Sequence, residues 1–140
     1  MIEPAVLDLA GTLKPGRPAI SEETFIRKLY EMLDVLEQRY DELAKRKLRN
    51  TREYLEQGYK DMPFRPIILF GFERMSDSQF RKDAETLICK LAQKGRAAGI
   101  DLILCSTNAE ILKGIIDCNF PAKLIFRSDD EEDFSWESLL

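Results

Sequence analysis

Leu91-Ala92-Gln93-Lys94-Gly95-Arg96-Ala97-Ala98-Gly99-Ile100-Asp101-Leu102-Ile103-Leu104-Cys105 decides the fold. Its first half closes an amphipathic helix whose apolar face is Phe80, Ala84, Leu87, Ile88 and Leu91, with Ser76 or Ser78 as the start. Gly99 has the place of the left-handed residue that ends a helix. Ile100 to Cys105 is then an apolar run suited to a strand buried on both faces. Upstream, Ile67-Ile68-Leu69-Phe70 is a second such strand, introduced by Pro63 and Pro66. Downstream, a short helix is expected over 109–118 and a third strand at Leu124-Ile125-Phe126, after Pro121. Strand, helix, strand, helix, strand with short joints is the pattern of right-handed crossovers and a parallel sheet, an α/β fold. Ligands on such sheets bind at the carboxyl ends of the strands. The chemistry is therefore expected in Gly71–Ser76, Cys105–Ala109 and Arg127–Asp129.

The N-terminal half begins with a loop over 11–20, rich in Gly and Pro. Ser21 is placed to cap a helix, with Glu22 and Glu23 in the first turn, where the helix dipole favours anions. Phe25, Leu29, Met32, Leu33, Leu36, Tyr40 and Leu43 recur on one helical face, and Lys45, Arg46 and Lys47 close the helix. The spacing predicts about 24 helical residues. Asn50 is placed to cap a short helix over 51–58 that ends at Gly58.

Composition narrows the chemistry. The chain has 140 residues, 44% hydrophobic and 33% charged, enough for one sizeable core and too few for a second large domain. No apolar run is long enough to cross a membrane and no secretory signal is visible, so a cytoplasmic location is expected. There is no histidine, which removes Ser-His and Cys-His nucleophiles and His-ligated metals. Cys89, Cys105 and Cys118 lack the spacing of a zinc site or a disulfide framework and are expected as buried thiols. The net charge of −4 is concentrated at the end: the segment from Asp129 to Leu140 carries six acids and no base, which leaves the rest at +2. Two units are expected, a folded body over 1–128 and an acidic tail over 129–140.

Several fragments, in order, resemble the FtsK/SpoIIIE family of hexameric DNA-translocating ATPases. The helix-to-strand stretch Arg96-Ala97-Ala98-Gly99-Ile100 is similar to the family's "A-R-A-A-G-I". Met1-Ile2-Glu3-Pro4 through Leu7-Asp8-Leu9 is similar to its "I-D-P-K…E-L". Glu37-Gln38-Arg39-Tyr40 resembles "E-R-R-Y", and Leu48-Arg49-Asn50 with Tyr54 resembles "V-R-N…Y-N". Pro66 to Phe70 has the place of the Walker B strand. Gly114-Ile115-Ile116 with Asn119-Phe120-Pro121 resembles "G-L-I-K-A-N-F-P". The resemblance covers about residues 1–127. It implies a three-layer RecA-like domain with a parallel sheet, incomplete because the P-loop strand and first helix would precede residue 1.

The departures are chemical. A P-loop needs G-x-x-x-x-G-K-[ST] to cradle phosphates, and these residues hold no Gly-Lys-Ser or Gly-Lys-Thr. Walker B needs an Asp to hold Mg²⁺ and a following Glu to orient water. Here Phe72 precedes Glu73. The family's Thr-Gln sensor pair becomes Ser106-Thr107, followed by Asn108-Ala109. The resemblance implies Glu73 as a catalytic carboxylate, Arg96 as an arginine acting on a neighbour's nucleotide, and Ser106, Thr107 and Asn108 as a sensor cluster. Each also has a plain reading: a solvated strand-end carboxylate, an arginine stabilised by a helix C-terminus, and caps for the 109–118 helix.

The family uses ATP and Mg; for this chain alone no cofactor and no metal are expected. One functional reading is a part or truncated relative of an ATP-driven double-stranded DNA translocase, without ATPase activity of its own. The other is a non-catalytic interaction module that uses the motor fold to bind motor subunits or another protein. Partners are accordingly other motor-type subunits or a second copy, and double-stranded DNA through the family. The basic group Arg39, Lys45, Arg46, Lys47, Arg49 and Arg52 suits phosphate contact or a solvated helix end.

Two structural consequences are expected. The strand at Leu124–Phe126 should pair directly with the one at Leu102–Cys105, because the strand that separates them in the family is missing. Apolar sheet surface should also be left over, lined by Phe64, Phe70, Phe72, Ile103 and Phe126. Either the tail, through Phe134, Trp136, Leu139 and Leu140, or a second chain would cover it.

Overall fold

The computed structural model describes residues 2–11, 18–106, 115 and 123–126, the last four by backbone alone. The elements are β1 (Ala5–Asp8), α1 (Glu22–Lys45), α2 (Thr51–Glu56), β2 (Arg65–Phe70), α3 (Arg81–Gly95), β3 (Ile100–Ser106) and β4 (Lys123–Phe126). Single 3-10 turns at Phe72–Met75 and Arg96–Ala98 follow β2 and precede β3. The sheet order is β1-β2-β3-β4, and all three pairings are parallel. As expected, β4 pairs directly with β3, with Ile103 opposite Lys123 and Ser106 opposite Phe126.

Pleating sorts the apolar runs by parity. Ile67, Leu69, Leu102 and Leu104 face α1 and α3 in the main core, with Phe25, Leu29, Leu36, Leu87, Ile88 and Leu91. Ile68, Phe70, Ile103 and Cys105 form a second cluster with Val6 and Ala10 alongside. Both sets are at most 6% exposed, so β2 and β3 are buried on both faces. Phe72 lies in the main core, which removes it from the surface expected to be left over; Phe70 and Ile103 are buried in the second cluster, and Phe64 is partly exposed. The Phe126 side chain and the tail lie outside the described residues.

Helix ends follow the capping chemistry. Ser21 accepts a hydrogen bond from the Thr24 amide, and Asn50 accepts one from that of Glu53. Helix α2 stops at Glu56, two residues short of the expected span. Helix α3 begins at Arg81 rather than near Ser76 or Ser78, because the chain first folds Phe72 and Met75 inward on the 3-10 turn. Ser78 still tethers this entrance: its hydroxyl donates to Glu22 and accepts from the Phe80 amide. Gly99 has φ of 73°, the left-handed form expected of it. The helix expected over 109–118 lies outside the described residues apart from Ile115, which is helical and buried in the main core. Cys89 is disulfide-bonded, contrary to the expected thiol, whereas Cys105 is a free buried thiol.

The amino end of the sheet is tied to α1 by Arg39. Its guanidinium donates to the Ala98 carbonyl at 2.7 Å and the Pro63 carbonyl at 2.8 Å, just before β3 and β2. One residue further, the Tyr40 hydroxyl donates to the Lys94 carbonyl at 2.6 Å, near the end of α3. Burial lowers the Arg39 pKa, helped by the neighbouring Arg65 and opposed by Glu3. Arg39 is 6% exposed and is therefore removed from the basic group suited to phosphate contact. Arg39→Ala should lower unfolding free energy by roughly 2–4 kcal/mol, because it strands two carbonyls that charged donors now satisfy. Urea denaturation checks this, and a loss below about 0.5 kcal/mol, the level of a neutral surface change, contradicts it.

Candidate strand-edge site

The carboxyl ends of β1, β2 and β3 bring together Asp8, Glu73, Cys105 and Ser106. Strand β1 ends on Asp8, 4% exposed, whose Oδ1 accepts from the amides of Ala10 (3.0 Å) and Gly11 (2.8 Å). This folds the loop after β1 back over β2, where the Leu9 amide donates to the Phe70 carbonyl. Gly71 makes the close approach possible: its φ is 81°, and a Cβ there would sit 2.6 Å from the Ala10 nitrogen. The chain then turns at once into the Phe72–Met75 3-10 turn.

That turn separates two neighbouring residues. Phe72 is wholly buried and stacks on Phe25, with ring centroids 6.3 Å apart. Glu73 stays half-buried at the sheet edge, and its Oε2 accepts from the Ser106 hydroxyl at 3.0 Å. The structure thus joins two of the residues singled out in the sequence, across the ends of adjacent strands. Beside them, burial first and the Glu73 carboxylate second push the Cys105 thiol from its ordinary 9.0 up to about 11.

Arg96 is placed elsewhere. It is exposed on the 3-10 turn before β3, at the opposite end of that strand from Ser106. The strand's length puts the two ends about 20 Å apart. Thr107 and Asn108 lie outside the described residues. Sequence reasoning missed Asp8, because β1 itself was missed; the only signal was its place in the Leu7-Asp8-Leu9 fragment.

A magnesium nucleotide does not fit the described residues. The position before Glu73 is an aromatic ring locked in the core. The Asp8 carboxylate oxygen is engaged by two backbone amides. Among the described residues no cluster of three or more Cys, Asp or Glu side chains is arranged to hold a metal ion. What the edge does supply is a carboxylate oriented by a hydroxyl, beside a thiol kept protonated.

The parallel sheet and its flanking helices match part of a RecA-like α/β domain. The cytoplasmic domain of EssC has the same fold, with a TM-score of 0.60 at 18% identity over 80% of this chain and 22% of that one. The sequence relatives are more specific. Over 119 residues the chain is 31% identical to the DNA translocase FtsK of Leptospira interrogans, covering 76% of this chain and 12% of that protein. It is 31% identical over 112 residues to FtsK of Streptococcus pneumoniae, covering 71% and 14%. It is 28% identical to FtsK of Streptococcus pyogenes serotype M3, covering 90% and 18%. No family model matches the chain. The chain is therefore homologous to FtsK-type DNA translocases through most of its own length, and it spans less than a fifth of the length of these relatives.

The raised thiol pKa gives a direct test. A folded-state pKa above the unfolded value means that Cys105 contributes stability fully below about pH 9 and loses it as pH rises through 11. Cys105→Ser should flatten the decline in stability over that window. Iodoacetamide at pH 8 should leave Cys105 unmodified in the folded protein and modify it after denaturation, as peptide mass spectrometry reads. Rapid modification of the folded protein contradicts the burial of this thiol.

Proposed function

We propose that this chain is a motor-fold relative of the FtsK-type translocases that does not hydrolyse ATP by itself and serves as a structural part of a translocase-type assembly. The observation that carries this is the burial of Phe72. Residue 72 has the place of the magnesium-binding Asp, and its side chain packs on Phe25 instead of facing the strand edge. A rotamer change cannot convert it to a cation ligand.

The Glu73–Ser106 pair supports the relationship without restoring the activity. A glutamate and a hydroxyl at adjacent strand ends match the positions of the water-orienting carboxylate and the sensor in the resemblance. Orienting a water accelerates phosphoryl transfer only where a cradle and a cation hold the phosphates in line. Neither is furnished by the described residues. Double-stranded DNA and motor-type subunits are the partners this relationship proposes.

Titration calorimetry of the 140-residue chain with Mg-ATP should show no binding tighter than millimolar. Micromolar affinity overturns the reading. Glu73→Gln should leave any residual ATPase rate unchanged, whereas a rate that falls about tenfold or more makes Glu73 a catalytic residue.

A further inference from the structure

Charge is unevenly divided along this chain. Residues 45–60, where α1 passes into α2, hold Lys45, Arg46, Lys47, Arg49, Arg52 and Lys60 against Glu53 and Glu56, a net of +4. The segment from Asp129 to Leu140 carries −6 and the whole chain −4, so everything outside these two stretches comes to −2. An acidic segment therefore finds no net attraction from the rest of the body and a clear one from the α1–α2 corner. All six cations of the corner are exposed. Arg46 pairs with Glu42 and Arg49 with Glu53, each at 2.6 Å. Lys45, Lys47, Arg52 and Lys60 make no ion pair among the described residues.

The corner also offers a seat for a ring. A cleft of about 670 Å³ opens beside it, lined by the buried Tyr54 and Met62 and by the cations Lys60 and Arg65. Two acids on its rim are already engaged, Glu3 by Arg65 and Glu42 by Arg46; Asp61 follows Lys60 in the chain. Leu43 packs with Tyr54 and Met62, and the Asn50 cap fixes the start of α2, so the cleft stands on a fixed frame. The tail carries Phe134 and Trp136 among its acids, with Asp133 before them and Glu137 after. A tryptophan ring between carboxylates suits a site that sets cations around an apolar floor, since its face attracts Lys and Arg.

We propose that the acidic segment 129–140 docks in cis on the α1–α2 corner, with its carboxylates on the corner's cations and Trp136 in the cleft. Chain length allows it. Strand β4 ends opposite Ser106, at the carboxyl end of the sheet. Helix α1 starts at that same end, where the Ile20 amide meets the Asp8 carbonyl, and runs to the amino end, where Arg39 meets the joints before β2 and β3. The corner thus lies one strand length back from Phe126 and about two strands across. That separation is on the order of 25 Å, and the chain from Phe126 to Trp136 extends to about 33 Å. Each exposed ion pair is weak, but a tethered segment makes several at once, at a local concentration of about millimolar. A second copy's tail brings the same charges without that advantage. The argument rests on charge and chain length at the amino end of the sheet, and it holds whether or not the chain binds nucleotide.

Trp136 is the single tryptophan of the chain, so its fluorescence reads the tail directly. The test is acrylamide quenching of Trp136 in the whole chain, at salt stepped from about 10 mM to about 0.5 M. The triple variant Lys45→Gln, Lys47→Gln, Arg52→Gln removes three cations from the corner, and circular dichroism verifies its fold. A control variant, Lys82→Gln, Lys90→Gln, Lys94→Gln, removes as much charge from exposed positions of α3. At low salt, quenching should be about threefold slower in the unaltered chain and the control than in the corner variant; at high salt all three should quench alike. Fast quenching of the unaltered chain at low salt overturns the proposal. So does equal loss of protection in both variants, or protection that survives high salt and the corner variant. Protection that grows with protein concentration, with a dimer seen by light scattering, assigns the tail to a second copy and overturns the cis arrangement. The ATP titration reads the opposite end of the sheet, so the two readings fail separately.

Discussion

The amino ends of β2 and β3 are positioned by one guanidinium. Arg39 projects from the last two turns of α1 and fills the space beneath the two joints that precede those strands, where carbonyl groups would otherwise be buried unpaired. A planar group with two diverging N–H edges reaches both at once, which an ammonium on the same stem does not do with the same geometry. Thr51 and Gly99 close around it: a Cβ on Gly99 would stand 3.0 Å from the Thr51 methyl and 3.2 Å from the Arg39 nitrogen. Helix, joint and strand are therefore fixed by contacts that leave no room for a larger group.

This gives a physical account of why scattered fragments resemble one family. Glu37-Gln38-Arg39-Tyr40 and Arg96-Ala97-Ala98-Gly99 are far apart in sequence and meet at the amino edge of the sheet, where Thr51, next to the fragment Leu48-Arg49-Asn50, packs beside Gly99 and Arg39. They form one packing unit, so a change in any of them disturbs the others. At the other edge of the sheet Phe72 packs in the core, and the Glu73 carboxylate accepts from the Ser106 hydroxyl.

The helices and the two central strands were legible because their signals are local. Ser21, Asn50 and Gly99 are caps or stops with a fixed chemistry, and the apolar runs Ile67–Phe70 and Ile100–Cys105 bury both faces. Strand β1 was not legible. Ala5-Val6-Leu7-Asp8 is too short to show a period, and its hydrogen-bond partners lie beyond α1 and α2 in β2. The start of α3 was misplaced because the inward turn of Phe72 and Met75 is a tertiary effect, decided by the space left beside Phe25. At the site, Glu73 and Ser106 were visible as residues, but their contact depends on strand register. The structural role of Arg39 was hidden among basic neighbours that sequence alone cannot sort into buried and exposed.

The position of β1 at one border of an all-parallel sheet has a consequence for how the chain assembles. Strands β2 and β3 are joined by α3 alone, so their crossover closes a short loop. Strand β1 finds β2 only after the chain from Asp8 to Arg65 has been drawn in, at a larger entropic cost. Loop-closure entropy therefore favours forming the β2–α3–β3 unit before β1 docks. By the same reasoning, among the described strands the edge that carries Asp8 is expected to open by local unfolding before the β2–β3 pair.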